Sequence, residues 1–148
     1  MDTFPFPSAL NSSTLRPFDL SVPDQIRTAA RAGFAGIELW VLDVQAWLAA
    51  PGSAGSTAGS RRRTSADIAT IARDEGIEIV NGIAFFRWAD ADPDLRREGL
   101  EQARAELALL AELGCTAVAA PPTGTVRGVT PAQFAERFVE LHAIGRAA

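Results

Sequence analysis

The sequence predicts an α/β protein: a parallel (βα)4 sheet-and-helix array, the half-complement of a TIM (βα)8 barrel. Three observations carry this. Helical stripes end on Gly33, Gly76 and Gly114, about forty residues apart, and each glycine is followed within a few residues by a short β-rich run. The connections are long enough to be crossovers, which parallel strands need and hairpins do not. The 148 residues make about one domain, slightly more than half of the ~250 typical of a complete (βα)8 barrel.

The elements follow in order. Pro7 to Asn11 is a weak first strand, diluted by proline and serine. Ser21 is placed to cap the first helix, with Pro23 in its first turn and Asp24 three residues on. Val22, Ile26, Ala29, Ala30 and Phe34 recur at helical spacing, and Gly33 fits the position past the helix end where φ turns positive. Gly36 to Trp40 reads as the second strand. Thr64 and Asp67 cap a second helix carrying Ile68, Ile71 and Ala72, with a strand predicted from Ile77 to Asn81. Asp92-Pro93 opens a long third helix with a stripe at Leu100, Ala103, Leu107, Leu110 and Leu113, and Cys115 to Ala120 reads as the fourth strand. Thr130-Pro131 starts a last helix with Phe134, Phe138 and Leu141 on one face. Its ending, GRAA, resembles the ARAG of the first helix, so a fifth strand is expected to follow.

One stretch departs from this grammar. Residues 49–63 are rich in Gly, Ser and Ala, cannot build a core, and read as a flexible loop after the second strand: a lid or a tolerated insertion. Gly52, Gly55 and Gly59 do not form a dinucleotide-binding pattern.

Composition removes several classes of function. The charge is −4, and all 14 basic residues are arginines scattered along the chain, which argues against nucleic acid. Cys115, the single cysteine, allows no internal disulfide, and no Cys/His set has zinc-binding spacing. There is no membrane-length apolar run and no secretory leader pattern, so a cytoplasmic location is expected.

The stretches LNSSTLR (10–16), IRTAARAGFAGIELW (26–40), ARDEGIEIVNG (72–82) and the fourth strand's AAPP (119–122) resemble the sugar phosphate isomerase/epimerase family of xylose isomerase-like TIM barrels. The resemblance covers almost the whole chain outside the Gly/Ser loop and implies that 1–148 is the N-terminal half of one such domain. It implies an enzyme that moves a proton between neighbouring carbons of a keto sugar or related hydroxy-ketone, with a divalent metal (Mn, Mg, Co or Zn) polarising the oxygens. The family's ligands, a Glu, an Asp, a His and a second Glu, stand at strands 5 to 8. None can be matched here, so this chain alone is expected to bind no metal and to be inactive, and its catalytic residues are unassigned.

Three alternatives come from other classes. A dehydratase of the same superfamily uses similar chemistry. A DNA-repair endonuclease barrel would need histidines near the third and fourth strand ends, where IVNGIAFF and AVAAPP have none. A non-catalytic α/β module or half-barrel subunit, closing as a homodimer through its free strand edges, needs no site at all.

What the resemblance implies for this chain is a substrate-binding wall at the strand C-termini. The candidates are Asn11, Glu38, Trp40, Asn81, Phe85, Arg87, Trp88, Pro122 and Thr123. Glu38 and Trp40, two apart in a strand, share a face and leave Leu39 to the helices. Each also has a plainer role: Trp40 and Trp88 as core, Asn81-Gly82 as a turn, Arg87 as a solvated charge. His142, the one histidine, sits on the last helix with no partner motif, and Cys115 reads as a small core residue.

Overall fold

The computed structural model describes residues 6–51 and 62–148. Its strands are β1 (Ala9–Asn11), β2 (Gly36–Trp40), β3 (Glu78–Ile83) and β4 (Val118–Ala119), all parallel and in the order β1-β2-β3-β4. The helices are α1 (Val22–Arg31), α2 (Val41–Ala49), α3 (Ser65–Asp74), α4 (Pro93–Glu112) and α5 (Pro131–Ala147), with a 3-10 helix at Ser12–Phe18. Parallel strands in sequential order joined through helices are the arrangement of half a (βα)8 barrel.

The predicted caps form. Ser21, Thr64 and Thr130 each accept from the backbone N–H three residues on, and Asp92 accepts from Asp94 and Leu95. Gly33, Gly76 and Gly114 have φ of 85°, 68° and 77°. Each makes the same closing pair of bonds, of which the second runs from Phe34 N to Ala29 O, Ile77 N to Ala72 O and Cys115 N to Leu110 O. This double closure satisfies the last carbonyls of the helix and turns the chain into the next strand.

The core lies between sheet and helices. Ile37 and Leu39 of β2 are buried with Ile26 and Ala29 of α1, Ile68 of α3, and Leu107 and Leu110 of α4. Gly82, the partner of Leu39 across β2–β3, shows how close that packing is: a Cβ there would run into the Leu110 side chain.

Four expectations need correcting. A helix, α2, follows β2 directly, so the 49–63 segment connects α2 to α3 and does not leave the end of β2. Residues 52–61 of that segment lie outside the described residues. Its ends are anchored: Arg63 donates to Trp47 O at 3.0 Å and its guanidinium lies over the Trp47 ring. The first strand is shorter than predicted, since only Ala9 to Asn11 pair with β2. The third strand runs to Ile83, two residues further than predicted, with a bulge opposite Ile37/Glu38. The fourth shrinks to two residues, because only Val118 and Ala119 find partners, on β3.

Candidate functional site

Register builds the site. Asn11 of β1 lies beside Glu38 of β2, and Glu38 lies beside Asn81 of β3. Leu39 and Gly82 point to the helices, so Glu38 and Asn81 face the opposite side, as strand alternation requires. The result is a polar row across three strands near their C-terminal ends. Asn11 Nδ2 donates to Glu38 Oε2 at 2.9 Å, while Asn11 Oδ1 accepts from Ser13 N at 2.9 Å as the cap of the 3-10 helix. The Asn11 amide therefore has one orientation, and it holds one Glu38 oxygen still. All three side chains are half-buried.

Trp40, the last residue of β2, extends the row. Its ring centroid is 5.0 Å from that of Phe85, in the segment after β3, and the Arg16 guanidinium lies 4.0 Å from its centroid. Arg16 also reaches Asp43 of α2 at 3.5 Å. Neither Arg16 nor Asp43 is visible as a site residue in the sequence. The signal is indirect: Arg16 is five residues past Asn11, and Trp40 is two past Asn11's register partner.

The other candidates stand apart from this group. Trp88 is core: it is 2% exposed, its indole N–H donates to Ala120 O at 3.0 Å, and its ring meets Phe134 and Phe138 of α5 edge-on. Burial against an outer helix makes it a wedge between α5 and the sheet, so it offers no sugar-stacking face. Arg87 is exposed, and its backbone is what Gly99 of α4 packs on. Pro122 is exposed and Thr123 half-buried in the segment after β4. That segment is tied to buried Asp90, which accepts from Thr125 N at 3.3 Å and from Asp92 N at 3.1 Å. Arg137 of α5 donates to the carbonyls of Ala89 and Asp90, completing a latch over the loops.

His142 and Cys115 line a groove of about 370 Å³ with Leu107, Leu110, Val118 and Leu141, on the helix side of the sheet. Burial pushes the Cys115 thiol above its ordinary value, and the thiol donates to Ala117 O at 3.0 Å. Among the described residues, no cluster of three or more His, Cys, Asp or Glu side chains is placed to hold a metal ion. Glu38, the carboxylate of the polar row, is bonded to an amide and has no second acid beside it in the register. These residues do not fit a divalent metal centre.

A parallel βα half-barrel that gathers polar side chains at its strand C-termini, opposite its helices, belongs to the class of barrels that bind ligands at that end. Within that class the chain belongs to the xylose isomerase-like TIM barrel family, whose sequence profile matches residues 26–147. No curated protein matches it in sequence. Solved structures share the fold. The IolI protein with a bound zinc atom has a TM-score of 0.72 at 16% identity, over 96% of this chain and 48% of that one. The D-psicose 3-epimerase of Clostridium cellulolyticum H10, with D-tagatose, has 0.68 at 14%, over 96% and 49%. The probable 3-DHS dehydratase AsbF of Bacillus anthracis has 0.66 at 15%, over 96% and 48%. The chain spans about half the length of each. Among the described residues, no helix is long and apolar enough to cross a membrane.

Proposed function

We propose that this chain is the substrate-binding N-terminal half of a single xylose isomerase-like barrel domain that performs isomerase- or epimerase-type proton transfer on a keto sugar or related hydroxy-ketone. The observation that carries the reading is the Asn11–Glu38–Asn81 row. A carboxylate with one oxygen held by an amide keeps its remaining lone pairs for sugar hydroxyls, and such charge-assisted bonds are about twice as strong as neutral ones. Asn81 offers both a donor and an acceptor beside it. Trp40 and Phe85 supply an apolar wall for the C–H surface of a sugar. This chain's share of the mechanism is thus to fix the hydroxyl pattern and exclude water from one side of the substrate.

The proton-transferring groups and any metal would come from residues outside this chain, and no step is assigned to them. The family resemblance supports a divalent ion in the complete site, and a related fold carries zinc. A dehydratase reading has support of the same kind, since the probable dehydratase AsbF shares the fold about as well as the epimerase. The test is an isotope-edited NMR titration of the chain with D-fructose. Saturable shifts at the Glu38 and Asn81 amides, weakened about tenfold in Glu38→Gln, are expected. Shifts confined to other parts of the chain would remove the substrate-wall reading.

A further inference from the structure

At the C-terminal end of β2, a buried hydrogen-bond donor stands without an acceptor among the described residues. The indole Nε1 of Trp40 is buried and has no partner among the described residues. Beside it stands the Arg16 guanidinium, 4.0 Å from the ring centroid. A guanidinium carries five N–H donors. Among the described residues Arg16 makes one side-chain bond, to Asp43 Oδ1 at 3.5 Å, the outer limit of a hydrogen bond, and its side chain stays 48% exposed. Glu38, the acid of the polar row, accepts from Asn11 and makes no ion pair with Arg16 among the described residues. A cation over a ring, loosely paired with one carboxylate and half open to solvent, on the same indole whose N–H is unanswered, leaves donors for a further anion.

We propose that Arg16, together with the Trp40 N–H, receives an anionic group, phosphate or carboxylate, at one end of the substrate. This rests on the reading of the Asn11–Glu38–Asn81 row as the wall that holds the substrate's hydroxyls. Glu38 and Trp40 are two residues apart, about 6.6 Å along the strand, comparable with the reach of a short carbohydrate chain. One molecule can therefore set its hydroxyls on Glu38 and Asn81 and its anion on Arg16. The substrate class narrows to acidic or phosphorylated sugars. Planar, two-pronged bonding favours a tetrahedral or carboxylate oxyanion over the single stretched contact to Asp43, which acts as a placeholder that the ligand displaces.

The experiment follows the indole N–H resonance of Trp40, assigned through Trp40→Phe, while the chain is titrated at constant ionic strength. The probes are inorganic phosphate, acetate and neutral D-fructose. A saturable shift of that resonance with phosphate or acetate, at least tenfold weaker in Arg16→Gln and several-fold tighter in Asp43→Asn, is the expected result. Phosphate alone, acetate alone or both identifies the anion. Arg16→Lys, which keeps the charge but not the fork, should bind less tightly than the parent. If fructose shifts Glu38 and Asn81 but neither anion moves Trp40, the anion site is overturned and the hydroxyl wall stands. If anions shift Trp40 equally in Arg16→Gln, the site is also overturned. If no probe perturbs these residues, both readings fail.

Discussion

Glu38 and Leu39 are adjacent in β2, yet they sit in different solvents. Leu39 is 1% exposed among the helices, and its cross-strand neighbour had to be glycine to admit Leu110. Glu38 is half-buried on the other face, where Asn11, Asn81 and Trp40 surround it with polar groups and ring edges. The helix face has the character of a core: apolar, close-packed and intolerant of volume change. The other face has that of a site, with donors and acceptors only partly satisfied by the protein. One strand therefore puts Ile37 and Leu39 into the core and Glu38 and Trp40 on the face that we propose binds substrate.

That division can be broken most directly at Leu39. Leu39→Ala should cost about 2–5 kcal/mol, read as a fall in urea midpoint, while Glu38→Gln should cost under ~1 kcal/mol because the amide keeps the shape and the Asn11 partner remains. Equal losses would make Glu38 a structural carboxylate and erase the distinction. The two tryptophans sharpen it at the next scale. Trp88→Phe removes the bond to Ala120 O and some packing under α5, for about 1–3 kcal/mol. Trp40→Phe loses an N–H that bonds nothing among the described residues and should leave thermal stability nearly unchanged. A larger loss at Trp40 than at Trp88 would reverse the assignment. Ligand binding is a third probe: the tenfold weakening expected for Glu38→Gln with D-fructose, about 1.4 kcal/mol, should have no counterpart in an Ile37→Val variant on the helix face. The smallest effect is in pH. The Cys115 thiol lies above its ordinary value of 9.0, so its neutral form is favoured in the folded chain. Its contribution is complete below pH 9 and is lost as pH rises through the folded value. Urea midpoints at pH 8 and 10 should therefore differ slightly more in the parent than in Cys115→Ser.

The comparison also separates what the sequence discloses from what it hides. Helix starts and stops are local chemistry, so Ser21, Thr64, Thr130 and the glycines at 33, 76 and 114 were readable one by one. The α2 helix was not readable. Trp40 at its cap makes no side-chain bond, and VLDVQAWLA has too few polar residues to mark an outer face. The 3-10 helix hides behind Pro17 within it and Asp19 at φ 48° beyond it. Among site residues, the same-face pairing of Glu38 and Trp40 follows from alternation alone. The gathering of Asn11, Glu38 and Asn81 depends on register, including the bulge, which no single segment specifies. Trp88 shows the converse: an aromatic in a C-terminal loop was drawn into the core by Phe134 and Phe138, which lie far along the chain.

The recurring turn at Gly33, Gly76 and Gly114 also bears on how the chain reaches this structure. Each closure joins residues only three to five apart, so it forms as soon as its helix does, without waiting for the sheet. Pairing of β1 with β2 must instead close 27 residues between Asn11 and Glu38, and the later pairings close longer stretches. Contacts of that range dominate the folding time of parallel sheets. A chain assembled in this way acquires three preformed elbows early and zips its strands late, so its slow phase should respond to changes at β2 and β3 and hardly at all to changes at the elbows' helix ends.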